Sequence, residues 1–99
     1  MNRNKITKLR RELQSIYDGA ANVKLDALRN IARKIGRVRV DQGNEPTYKS
    51  IYLPDSKPLS IPGHIKLNKF TVRNIIDILS QDLDAIEEMI DNNTLKSGD

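Results

Sequence analysis

The feature that most constrains how this chain can fold is a change of period at Gly36. Before it, apolar residues recur every three or four positions; after it they alternate with polar ones, and near residue 70 the helical spacing returns. Ile6, Leu9, Leu13, Ile16 and Tyr17 predict an amphipathic helix over about 4–18, stopped by Gly19. Asn22 is placed to cap a second helix, whose stripe is Leu25, Leu28, Ile31, Ala32 and Ile35 and whose end is Gly36. Arg37-Val38-Arg39-Val40 then reads as a half-buried strand with valines inward and arginines outward. Gly43-Asn44-Glu45-Pro46 supplies a turn, residues 47–53 a second strand, 54–58 another turn, and Leu59-Ser60-Ile61 a short third strand. Pro62 has no N–H for a sheet ladder, so this third strand ends there or lies at an edge. A loop, Gly63 to Lys69, leads to a helix with the stripe Val72, Ile75, Ile76 and Leu79. Ser80 is read as breaking it and capping a last helix, about 81–91, that carries Leu83, Ile86, Met89 and Ile90.

The order α, α, β, β, β, α, α predicts a single α+β domain, a three-stranded antiparallel sheet with helices on one face. Its parts are an appended N-terminal helix, a core of about 20–80, a C-terminal helix, and a mobile tail from residue 92. No run approaches the ~18 apolar residues of a membrane span, and the basic start, Met1 to Lys5, lacks the apolar block of a secretory signal; a cytoplasmic location without membrane contact is expected. The absence of cysteine excludes disulfides and thiolate metal sites. One histidine makes a zinc site implausible, so no metal or cofactor is expected.

Charge is unevenly divided. Residues 1–50 carry twelve Lys/Arg against five Asp/Glu, a net +7, whereas residues 51–99 carry five against eight, a net −3. A basic half attracts phosphates at long range. The acidic stretch with Asp77, Asp82, Asp84, Glu87, Glu88 and Asp91 reads as solubilising, as repelling nucleic acid or as attracting a basic partner. Arg37, Arg39, Lys49, Lys66, Lys69 and Arg73 are the candidate phosphate contacts. Lys66, Lys69 and Arg73 stand out among them, because a loop and a helix start bring them together and helix N-terminal amides suit an anion. Tyr48 and Tyr52 share a face of the second strand and read either as core or as platforms for unpaired bases.

Pro58-Leu59-Ser60-Ile61-Pro62-Gly63-His64, the basic loop with Lys66 and Lys69, and Thr71-Val72-Arg73-Asn74-Ile75-Ile76 together resemble the C-terminal half of HicA-type toxins. The likeness extends upstream through Asn22-Val23-Lys24 and the helix ending at Gly36, covering roughly residues 20–80. It implies a fold like a double-stranded-RNA-binding domain, mRNA cleavage as the activity, and a HicB-like antitoxin protein as partner. Family members carry a Gly-Ser-His followed by an aromatic, its histidine taken as catalytic. Here the corresponding stretch is Gly43-Asn44-Glu45 with Tyr48 beyond it, so glycine and aromatic remain while Glu45 replaces the histidine. His64 matches a histidine that many members hold after the third strand.

Cleavage by attack of the 2′-hydroxyl needs a base for that hydroxyl and an acid for the leaving oxygen. Exchanging an imidazole for a carboxylate removes a group that titrates near neutrality. His64 and Glu45 are therefore the catalytic candidates, with loop ordering or phosphate contact the other role for His64 and a plain turn residue the other reading of Glu45. Three functions stay open at this point. The first is a HicA-like RNA-binding protein of toxin-antitoxin type whose mRNA interferase activity is weakened or lost. The others are an active, metal-independent endoribonuclease using Glu45 or His64, and a protein-interaction module on a degenerate toxin fold. Self-association is open as well.

Overall fold

A computed structural model describes residues 1–42, 45–61 and 67–92, with the backbone alone for 41, 42 and 45. The first helix, α1 (Arg3–Asp18), starts where the Asn2 side chain accepts a hydrogen bond from the Lys5 amide at 2.9 Å, and it ends at Gly19. Its buried residues are Ile6, Leu9 and Leu13, at the spacing the sequence predicts. The second, α2 (Leu25–Ile35), buries Leu28, Ile31, Ala32 and Ile35. Asn22 does not cap it. Asn22 closes a single 3₁₀ turn, Ala20–Asn22, whose buried Ala20 and half-buried Val23 enter the core before α2 begins, and Lys24 takes the cap position without a side-chain bond.

Gly36 ends α2 in the left-handed conformation, at φ 109°, and its carbonyl accepts the amide of Ile51 at 2.8 Å. One residue thus stops the helix and opens the sheet. A β-carbon there would lie 2.6 Å from two ring carbons of Tyr52, so both φ and space demand glycine. The strands β1 (Arg37–Gln42), β2 (Glu45–Ser50) and β3 (Leu59–Ser60) form an antiparallel meander in the order β1-β2-β3. Glu45 and Pro46, expected in a turn, already pair with Gln42 and Asp41, and the second strand ends at Ser50 instead of running to 53.

The phase of β1 is the reverse of the sequence expectation. On the central strand Tyr48 is 1% exposed and faces the helices. Arg39 pairs with Tyr48 and Arg37 with Ser50, so both arginines are on the helix-facing side, while Val38 pairs with Lys49 on the open side and is 48% exposed. Arg37 is 2% exposed. Its Nε and Nη2 donate to the two carboxylate oxygens of Asp82, at 2.7 and 2.9 Å, and Nη1 donates to the carbonyls of Tyr48 and Lys57, at 3.2 and 2.9 Å. This bidentate pair joins β1 to the last helix and compensates the desolvation of both charges.

That last helix, α3 (Lys69–Asp91), is one continuous element of 23 residues. Ser80 does not break it. The buried residues Val72, Ile75, Ile76, Leu79, Leu83, Ile86 and Ile90 keep a three-and-four spacing straight through Ser80, and a lone serine without glycine or proline cannot interrupt so long an apolar seam. The tail expected to be mobile from residue 92 lies, beyond Asn92, outside the described residues. α1 runs antiparallel to α3: Arg3 bonds Asp91, and Arg10 reaches Asp84 at 2.8 Å and Glu87 at 3.5 Å. The acidic stretch of α3 thus meets cations of its own chain. Each exposed pair is worth at most about 1 kcal/mol, so these bonds orient α1 while its apolar stripe holds it. Among the described residues, no helix is long and apolar enough to cross a membrane.

The Arg37 and Asp82 pair can be tested by a mutant cycle in urea. Asp82→Ala leaves a buried guanidinium without its counter-charge and is expected to cost about 3–5 kcal/mol, whereas Arg37→Met combined with Asp82→Leu costs less than either single change. Additive losses would show that the two side chains are not coupled. Gly36→Ala is expected to cost about 1–3 kcal/mol, read as a lowered Tm, because alanine resists positive φ and its methyl meets Tyr52.

Candidate nucleic-acid interface

Backbone geometry brings three segments to one end of the sheet. β1 and β2 pair out to Gln42 and Glu45, and the amide of Ile61, just beyond β3, donates to the Pro46 carbonyl at 3.3 Å. Seven residues, 62–68, then connect Ile61 to the start of α3. From there α3 rises about 20 Å over the 13 residues to Asp82, which is bonded to Arg37 at the opposite end of β1. The start of α3 therefore belongs with the hairpin end of the sheet. Asn68 caps the helix, its side chain accepting the Thr71 amide at 2.9 Å and leaving other first-turn amides open to an anion.

The sequence candidates fall into three groups. Arg37 and Tyr48 are core residues: the first is saturated by Asp82 and two carbonyls and the second is closed in by the helices, so neither can reach a phosphate or a base. Lys49 is exposed on the open face of the sheet, Arg39 is exposed on the helix-facing side, and Lys69 is exposed in the first turn of α3. Arg73, one turn further, is turned toward α1; its guanidinium carbon is 4.8 Å from the Tyr17 ring centre and its Nε 3.5 Å from the Tyr17 carbonyl oxygen. Arg73 thus ties α3 to the end of α1, the cation lying on the ring face. Glu45 stands at the start of β2 opposite Gln42. Its side chain lies outside the described residues, as do His64 and Lys66.

Phe70 is a surface residue that the sequence reading passes over. It is the only phenylalanine of the chain and is 67% exposed. The ammonium of Lys69 lies 5.4 Å from its ring centre. A signal was present: Phe70 falls off the stripe of Val72, Ile75, Ile76 and Leu79, on the opposite face of the helix. A bare aromatic beside a cation at a capped helix start can stack a base while the lysine meets its phosphate, the combination that single-stranded nucleic-acid readers use. Tyr52, half-buried against Gly36, lacks that freedom. Compared with protein-family models, curated proteins and solved structures, the chain matches none.

Proposed function

We propose that the protein is a HicA-like RNA-binding protein of toxin-antitoxin type that acts on mRNA in the cytoplasm, with its mRNA interferase activity weakened or lost and a HicB-like antitoxin as its protein partner. The observation that carries the reading is the exposed Phe70 beside Lys69 at the capped start of α3. The order α2-β1-β2-β3-α3, with one antiparallel sheet, agrees with the fold the resemblance implies. In this reading the RNA strand meets the hairpin end of the sheet. Phe70 stacks a base, Lys69 and the first-turn amides of α3 take a phosphate, and Lys66 supplies further positive charge; Arg39 and Lys49, three and four residues along β1 and β2 from the hairpin, add to it only at longer range. Glu45 occupies the position of the family's catalytic histidine, where its negative charge opposes a phosphate and cannot supply an imidazolium acid. His64, five residues before α3 in the sequence, serves phosphate contact in place of proton transfer.

Titration of a labelled single-stranded RNA at several salt concentrations tests this. With four to six phosphates engaged, log affinity is expected to fall with log salt at a slope of roughly −3 to −4; a flat response would sink RNA binding altogether. Phe70→Ala is expected to weaken binding about 5-fold to 100-fold with the slope unchanged, since stacking releases no counterions. Lys69→Gln reduces the slope by about 0.7. In a cleavage assay the parent and His64→Ala leave the RNA intact, whereas Glu45→His restores scission. Cleavage by the parent would establish an active ribonuclease instead.

A further inference from the structure

Cations of the N-terminal half divide into two sets once the chain is folded. Arg3 and Arg10 face α3 and are held by its carboxylates, and Arg37 is buried against Asp82. Lys5, Lys8, Arg11, Arg33 and Lys34 instead stand exposed on the solvent side of α1 and α2. These helices run antiparallel, since Lys34 Nζ lies 3.3 Å from the Glu12 carboxylate while Ser15 and Ile16 share a groove with Ala27, Asn30 and Ile31. Lys8 is one helical turn from Glu12 on the same face. The Glu12 and Lys34 bridge therefore gathers cations of two helices around a single carboxylate. Asp18 ends α1 and Asp26 opens α2 at the other end of the pair, so they leave this end positive.

Two observations separate this ridge from an ordinary solvated face. The first turn of α1 contains no acid and does contain Lys5, an arrangement that opposes the helix dipole and that a helix selected for stability alone avoids. In addition, the carboxylates Asp82, Asp84, Glu87 and Asp91 of α3 are committed to other arginines. Lys5, Lys8 and Arg11 follow one another at three-residue spacing along α1, so their fields add, and a row of cations fits a polyanion with regularly spaced charge.

We propose that the cationic ridge of α1 and α2 is a second nucleic-acid surface, fitted to the phosphate backbone of RNA and separate from the hairpin end of the sheet. It rests on the RNA-binding reading above and adds to it α1, which lies outside the stretch that resembles HicA. An RNA long enough to reach both surfaces would be held at the start of α3 and steered by the ridge.

The test compares the parent with a ridge variant (Lys5→Gln, Lys8→Gln, Arg11→Gln) and a sheet-end variant (Lys69→Gln, Phe70→Ala), each titrated with a single-stranded RNA of about 30 nucleotides and with polyglutamate of equal charge. None of the three ridge residues makes an ion pair among the described residues, so thermal melting of the ridge variant is expected to match the parent. Loss of three phosphate contacts lowers RNA affinity roughly 10-fold to 100-fold and reduces the salt slope by about 2. A ridge variant with parental affinity and slope, beside a weakened sheet-end variant, overturns the ridge and leaves the RNA-binding reading standing. A parent that binds no RNA overturns both. Polyglutamate bound as tightly as RNA, with the same loss in the ridge variant, overturns the phosphate assignment in favour of an acidic polypeptide partner.

Discussion

The buried pair of Arg37 and Asp82 is the contact on which the arrangement of the other parts depends. Arg37 sits at the junction between α2 and the sheet, while Asp82 lies midway along α3; their two hydrogen bonds hold elements that are 45 residues apart in sequence. The remaining donors of the guanidinium reach the carbonyls of Tyr48 and Lys57, so β2 and the segment before β3 are drawn to the same point. A shift of α3 along the sheet, or a flip of β1, would strand a charge in the core. Apolar burial supplies most of the stability, and the ion pair chooses among the ways in which that burial could be achieved.

The uneven charge of the chain acquires a clear purpose in the folded molecule. Part of the basic half is used internally, with Arg3 and Arg10 set against the acidic flank of α3. What remains on the surface includes Lys69 at the start of α3 and a set of cations along the outer side of α1 and α2. A net charge computed from composition averages over these populations and understates how polar the surface is.

Helices α1 and α2 and the existence of the three strands were legible because apolar period and the glycines at 19 and 36 mark them directly, while the bounds of β2 were not. The orientation of β1 was not. Arg-Val-Arg-Val placed beside a helical layer reads as valine inward, and only a carboxylate far along the chain makes the other phase favourable. The same distant partner explains why Arg37 looked like a phosphate contact. Ser80 misled for a local reason: serine suits a cap, yet the apolar seam on either side is in one phase. At the candidate site, Lys69 is legible from its charge together with its place at a helix start. The exposure of Phe70 is legible only once the phase of α3 is fixed, because it follows from lying opposite the apolar stripe.

The junction at Gly36 has no slack. Helix end, left-handed turn and first sheet hydrogen bond are compressed into a single residue. Because side chains alternate along a strand, one residue inserted after Gly36 would turn Arg37 to solvent and Val38 inward along with every later position of β1. The length of this connection is therefore as much a part of the specification of the core as the identity of the side chains that fill it, and sequence drift in this chain can exchange residues around residue 36 far more readily than it can add or remove one.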